Sequence, residues 1–445
     1  MGRFIFLNRK NQQISKTILV ATIILNLSLL CVFKYTNFFI STFNYLGAHV
    51  NFFEIVLPLG ISFFTFTQIA YLVDVFEGEA NEYDFVSYLL FVTWFPHLIA
   101  GPVLHHQQMI PQFNSDSTYK FNYHSVVTGL TLFSIGLFKK VVLADQYALY
   151  ATPIFDQAFD GGQPMLLGAW IGALAYTLQL YFDFSGYSDM AIGLSMLFNI
   201  WLPINFESPY KARNIIDFWR RWHITLSNFL RDYLYYPLGG NKKGLFRRHL
   251  NLFATMLLGG LWHGSGWNFV LWGMIHGVYL IFNHLYRGLF PYRPENKNSL
   301  LASSIGVLAT FTAVVIAWVP FRAASITATL QIWRGMIGLN GVSLPESLKS
   351  SLGGISNQVN FLGVLPGQAI SSFEVFSWLG IGLLIIWTMP NSQFLIEKFS
   401  LRLRTRNVNS FYEMQSLVMV IYAGILFSIS ILSLKKASEF LYFQF

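Results

Sequence analysis

Apolar residues along this chain fall into blocks, with polar, glycine-rich or proline-rich breaks between them. The blocks are Thr17–Phe33, Phe52–Val73, Phe85–Ile99, Val126–Leu143, Met165–Phe182, Met190–Leu202, Leu250–Leu261, Trp267–Phe282, Leu301–Val319, Phe373–Met389 and Ser416–Leu434. Each reads as a candidate membrane helix, since about 20 apolar residues span a hydrocarbon core of about 30 Å. Several are too short to cross alone. Phe85–Ile99 runs into Phe95-Pro96-His97 and then Ala100-Gly101-Pro102. The prolines predict a broken or re-entrant helix, tolerated only where protein buries it or it lines a cavity. Leu250–Leu261 and Trp267–Phe282 are parted only by a glycine-rich turn around His263. There is no internal repeat and no low-complexity tract.

One polar stretch, Pro203–Leu250, contains a helix signal of its own. Asn214 followed by Asp217 predicts an N-cap with an acidic first turn. Ile215, Phe218, Trp219, Trp222 and Leu226 then share one face of a 3.6-residue helix, with Asp217, Arg220 and Arg221 opposite. Tryptophan on the apolar edge and arginine on the polar edge predict a helix lying in the membrane interface. His223 falls at the boundary between the two faces.

Composition agrees with a membrane protein. The chain is 54% hydrophobic, 18% aromatic and 11% charged, against about 25% charged in soluble domains. The apolar blocks recur from end to end, so residues 1–445 read as a single multi-pass, all-α domain. Met1–Lys16 is polar and basic, and no small-residue cleavage site follows it, so no cleavable signal peptide is expected. The lone Cys31 excludes an intrachain disulfide and reads as a small core residue.

Charge sets an orientation. Pro203–Leu250 holds nine Lys and Arg against three acids, +6 of the chain's formal +8. By the positive-inside rule this loop, Met1–Lys16 and Glu397–Arg406 face the cytoplasm, and Gly341–Gln368 faces outside. Basic residues split among membrane flanks speak for topology and not for a nucleic-acid partner.

Candidate chemistry centres on histidine. Trp262-His263-Gly264 places an ionisable ring in an otherwise apolar run, which costs a few kcal/mol at membrane depth. Histidine takes and returns protons near neutral pH. His223 lies 40 residues upstream, beside the basic stretch, where it could equally be an interfacial anchor. Arg220, Arg221, Lys242 and Lys243 are candidates for binding a phosphate-bearing donor. Tyr236 to Gly244 is a glycine-flanked basic turn without P-loop spacing. Asp183 and Asp189 interrupt apolar sequence, with Tyr187 one turn from Asp183. They read either as functional acids or as a hydrogen-bonded helix break in a cavity wall. His97, His105 and His106 cluster in sequence without a nearby carboxylate, and no metal-ligand spacing occurs.

In sequence order, the following segments carry a family resemblance: Phe33 to Phe39, Leu57 to Phe66, Phe95 to Pro102, Tyr181 to Asp189, Asn205-Phe206 with Ser208-Pro209-Tyr210, Phe218 to Ser227, Tyr233 to Gly240, Trp262-His263-Gly264 and Phe440 to Phe445. The chain resembles the membrane-bound O-acyltransferase family, in the bacterial branch of alginate O-acetyltransferases and teichoic-acid D-alanyl transferases. Gly101 to Leu104 and the tail look most like the alginate branch. The resemblance implies a helical bundle around a tunnel, with His263 as catalytic histidine, either general base or transient acyl carrier, and His223 as the second active-site residue. The family pattern also has further hydrophobic segments before Phe33, and arginine where this chain has His105.

The resemblance implies an inner-membrane O-acetyltransferase of exopolysaccharide, with no bound cofactor. By the same resemblance acetyl-CoA would be the donor substrate. Arg220, Arg221, Lys242, Lys243, Asp183, Tyr187, Trp262 and Asn268 are the expected donor- and substrate-binding residues. A periplasmic partner protein would receive acetyl and pass it to the polysaccharide. Two alternatives stay open. One is the same fold with another donor or acceptor, such as peptidoglycan O-acetylation or teichoic-acid D-alanylation. The other is a non-enzymatic polysaccharide exporter or channel.

The orientation is testable. In a Cys31→Ala background, a membrane-impermeant thiol reagent should label Ser351→Cys on intact spheroplasts. It should label Lys243→Cys only after lysis. Labelling of Lys243→Cys in intact spheroplasts overturns the assignment.

Overall fold

A computed structural model of the protein describes residues 1–80, 85–98, 101–290, 300–345, 360–361, 371–397, 410–434 and 441. After a short N-terminal helix, Gly2–Leu7, come α1 (Gln12–Tyr45), α2 (Ile61–Glu77), α3 (His106–Phe113), α4 (Tyr123–Phe159) and α5 (Leu166–Leu197). Two short helices follow, α6 (Ile215–Trp219) and α7 (Ile224–Leu230). Then come α8 (Gly244–His263), α9 (Trp267–Leu289), α10 (Leu300–Arg322), α11 (Ile326–Met336), α12 (Ser372–Thr388) and α13 (Ser410–Ser433). Two parallel two-residue strands, Ser343–Leu344 and Asn360–Phe361, are the described exception to an all-helical chain. Most of the Gly341–Gln368 loop, Lys398 to Arg406, and the tail apart from Leu441 lie outside the described residues.

Among the described residues, four helices are long and apolar enough to cross a membrane: α1, α4, α9 and α10. Their outward faces stay apolar. Ile24, Leu25, Leu29 and Val32 on α1 and Leu301, Ile305 and Leu308 on α10 are exposed. A soluble protein rarely shows such continuous apolar surface, and lipid is its natural cover. Cys31 lies on this surface, exposed, and not in the core that its apolar surroundings suggested.

The axis of the fold is α5. It was expected as two segments parted at Asp183 and Asp189, yet it runs unbroken for 32 residues. Nearly every turn of it is buried, which is how a helix that is apolar all round is accommodated. The acids do not break it because lysines neutralise them. A π-helical turn in α4, Lys139–Ala144, sends Lys139 Nζ to Asp189 Oδ2 at 2.7 Å and Lys140 Nζ to Asp183 Oδ1 at 2.6 Å. Asp189 also accepts from Gln393, and Asp183 from the Leu441 backbone. Glycines allow this approach. A Cβ on Gly136 would stand 2.5 Å from the Gly186 carbonyl, and one on Gly129 2.6 Å from that of Gly193. Small residues facing each other let membrane helices touch backbone to backbone.

Two further boundaries differ from the sequence pattern. The apolar run Phe52–Val73 is irregular through Pro58, and helix begins at Ile61. The amphipathic stretch Ile215–Leu226 is not one helix. It breaks at Arg220–His223 into α6 and α7, although Asn214 caps Asp217 N as expected. Its apolar face does not lie in the membrane interface. Phe218 and Trp222 pack on Trp318 of α10, and Trp219 on Trp272 of α9, because the preceding segment tucks the helix pair into the bundle.

Breaking one partner of the α4–α5 ion pairs isolates a buried charge, which costs about 3–5 kcal/mol. Lys140→Met should therefore sharply lower the thermal stability of detergent-purified protein. Adding Asp183→Asn should restore most of it. A double variant as unstable as Lys140→Met would show that the Lys140–Asp183 pairing is not the stabilising contact.

Candidate active site

The site begins where α8 stops. His263 is the last residue of α8, and Gly264 leaves in extended backbone before α9 starts at Trp267. The hairpin is tight because glycines meet at its crossing. A Cβ on Gly260 would lie 2.9 Å from the Gly273 Cα. The His263 ring is buried among Trp262, Trp272 and Phe321, with ring centroids 5.0, 5.1 and 5.2 Å away. Trp262 itself stacks on Phe66 at 4.8 Å.

His223 closes the fourth side, 6.4 Å from His263 between ring centroids. It is fully buried, not set between a polar and an apolar helix face. It sits in left-handed backbone, φ 44° and ψ 54°, as the N-cap of α7. That conformation costs a non-glycine residue of order 1–3 kcal/mol and clusters at functional sites. It also causes the break between α6 and α7 and turns the imidazole inward. Neighbouring segments hold it there: Glu207 N donates to Arg221 O, and Ile224 N to Asn205 O.

Asn205 fixes the His223 tautomer. Its Oδ1 accepts from the Thr225 backbone N–H at 3.3 Å and from Thr225 Oγ1 at 3.0 Å. A backbone N–H can only donate, so the atom facing it is the amide oxygen. His223 Nδ1 lies 3.0 Å from the same oxygen and must carry the proton. Nε2 is then the basic nitrogen. Phe184 of α5 packs edge-on against the ring at 4.7 Å.

The structure thus brings His223, His263 and Trp262 together. The other sequence candidates are placed elsewhere or are already engaged. Asp183 is committed to Lys140, although its neighbour Phe184 backs His223. Tyr187, half-buried, packs between two apolar clusters. Asn268 Nδ2 donates to the carbonyls of Pro320 and Ala323, tying α9 to the end of α10. Arg221 pairs with Asp217 at 2.8 Å. Arg220, Lys242 and Lys243 are exposed.

Sequence reasoning missed four contributors. Asn205 and Lys34 lay within matched segments but had no role. His276 is fully buried and accepts from Trp219 Nε1 at 3.3 Å; a lone histidine in an apolar helix gave no separate signal. The fourth is Asp74, the carboxylate that the His105–His106 pair lacked in sequence. Its Oδ1 accepts from Tyr233 Oη at 2.6 Å, and its Oδ2 lies 3.2 Å from His106 Nδ1. His105 Nδ1 is 3.2 Å from the same Tyr233 hydroxyl. Among the described residues no group of three or more His, Cys, Asp or Glu is arranged to hold a metal.

The arrangement suits proton transfer: two buried imidazoles, one with a fixed basic nitrogen, walled by aromatic rings. Comparison with known proteins gives the family. Residues 75–298, which include both histidines, match the membrane-bound O-acyltransferase family model. The chain is 40% identical to the peptidoglycan O-acetyltransferase of Helicobacter pylori, over 96% of this chain and 82% of that protein. It is 38% identical to the probable alginate O-acetylase AlgI of Pseudomonas aeruginosa, over 82% of this chain and 66% of that protein. It is 28% identical to the teichoic acid D-alanyltransferase of Streptococcus thermophilus, over 59% of this chain and 68% of that protein. Relatives that are enzymes set the exporter reading aside. With a matching family model, a relative 40% identical over 96% of this chain and a multi-pass helical fold, the chain belongs to the membrane-bound O-acyltransferase family and is an O-acyltransferase of the membrane.

Proposed function

We propose that the protein is an inner-membrane O-acetyltransferase that takes acetyl from cytoplasmic acetyl-CoA for O-acetylation of an extracytoplasmic, alginate-like polysaccharide. The observation that carries this is the buried pair His223–His263 at 6.4 Å, enclosed by aromatic rings. His263 acts as general base on an acceptor hydroxyl. The hydroxyl oxygen attacks the thioester carbonyl, the new C–O bond forms, the C–S bond breaks, and the thiolate leaves with a proton. His223 holds its proton on Nδ1 toward Asn205, so Nε2 orients a hydroxyl. It protonates the thiolate only after taking a proton there.

Depth favours a long-armed donor. His263 lies 15 residues along α8 from Arg248, about 22 Å at the helical rise. Phosphates held at the basic loop therefore require a flexible thiol arm to bring the thioester to the histidines. A tunnel between them would let acetyl pass to a periplasmic partner without moving the whole donor. A peptidoglycan acceptor is the second reading, favoured by the Helicobacter pylori relative, which matches 96% of this chain. Alkali-labile acetate measured in both polymers of a deletion strain separates them. Loss from the exopolysaccharide supports the first reading, and loss confined to peptidoglycan selects the second.

His263→Ala should lower transfer from labelled acetyl-CoA in inverted membrane vesicles by about 10²–10⁴-fold, the usual cost of losing a general base. The variant should still insert and resist unfolding as the wild type does. Wild-type transfer by a stable His263→Ala protein removes the histidine from the mechanism.

Charge reversal at Lys242 and Lys243, or at Arg220 and Arg221, should raise KM for acetyl-CoA more than it lowers kcat. Donor binding should weaken with salt, as phosphate contacts do. Because Arg221 is already paired with Asp217, the lysine pair should show the larger effect. An unchanged KM in both double variants leaves the loop a topology signal alone.

A further inference from the structure

We infer that Lys34 is a positioning residue for His263. The inference rests on the proposed role of His263 as base. A helix that stops leaves its last carbonyls without partners, and an apolar medium offers no water to satisfy them. At its C-terminus α8 runs straight into extended backbone at Gly264, φ −159°. Side chains from α1 do the capping. Tyr35 Oη donates to Leu261 O at 2.7 Å, and Lys34 Nζ to Trp262 O at 2.6 Å and His263 O at 3.2 Å. Two adjacent residues can serve one helix end because α1 makes a π-helical turn, Cys31–Tyr35, at this point. Such turns recur at functional sites.

The ammonium is not available to substrate. It has three N–H bonds and three oxygen partners, the third being Ser62 Oγ at 3.2 Å. It therefore cannot stabilise an oxyanion and acts through the backbone that carries His263. A positive charge also suits the negative end of the α8 dipole. The Lys34 nitrogen lies 5.9 Å from the Trp262 ring centre, so the same group steadies the wall of the site. Lys34 falls outside residues 75–298, the stretch that the family model matches. The restraint on the base thus comes from a helix outside that stretch.

A misplaced reacting group costs about 10²-fold for a 1 Å shift. In inverted vesicles with labelled acetyl-CoA, Lys34→Met should lower kcat per folded protein by about 10²-fold with KM for acetyl-CoA unchanged. Tyr35→Phe, a smaller change one carbonyl further from the ring, should lower kcat less and in the same direction. It decides the matter if Lys34→Met does not fold. Wild-type kcat per folded protein in Lys34→Met, or in Tyr35→Phe where only that variant folds, overturns the positioning role. His263→Ala is measured alongside. If it retains activity, the base assignment itself fails; if it is inactive while Lys34→Met turns over normally, only this inference fails.

Discussion

Every helix that ends inside an apolar medium must find partners for its last carbonyls, and this constraint organises the fold. α8 ends on Lys34 and Tyr35. α10 ends on Asn268, which takes the carbonyls of Pro320 and Ala323. α11 ends under Trp170, whose indole N–H reaches Met336 O. Each cap comes from a different helix, so each also locks two helices together. His263, the proposed base, sits beside one of these ends because that is where a backbone can stop at depth without exposing unsatisfied groups. The cost of interrupting a helix is offset by contacts that at the same time fix the residue.

The second support is the α4–α5 seam. Facing glycines bring the two backbones together, and the π-turn then delivers Lys139 and Lys140 to acids six residues apart. Charges that would be costly in hydrocarbon become internal links. α5 consequently keeps one register over its whole length, and Phe184 meets the edge of His223. Asp183 thus bears on the site from one residue away, through the packing of Phe184.

Much of this was legible in the chain. Apolar blocks marked the long helices, and the glycines around His263 correctly parted α8 from α9. Asn214 announced the start of α6. The failures have physical causes. Asp183 and Asp189 looked like a break because their lysines lie some 50 residues earlier in the chain and sequence spacing carries no partner. The stripe Ile215–Leu226 looked like an interfacial helix because a tryptophan facing protein and a tryptophan facing lipid give the same periodicity. Its break at His223 depends on left-handed backbone held by Asn205 and Glu207, contacts made by a segment outside the stripe. Asp74, His276 and Lys34 were silent for the same reason: each acts on a residue far away in sequence.

That broken stripe is what makes the two-histidine site possible. In a continuous amphipathic helix His223 would sit one residue from Trp222 along a 100° turn, near the boundary of the faces. With φ at 44° the chain reverses its sense at that single residue. Trp222 then points to Trp318, while the His223 ring lies between Phe184 and His263. Asn205 completes the arrangement by occupying Nδ1, so the imidazole cannot rotate its basic nitrogen away without losing a buried hydrogen bond. A buried polar group left unpaired costs about 1–3 kcal/mol, comparable to the strain that the left-handed turn stores. The two terms are coupled. The same asparagine that accepts from His223 Nδ1 also accepts from the Thr225 backbone two residues later, so the tautomer and the turn are held by one side chain.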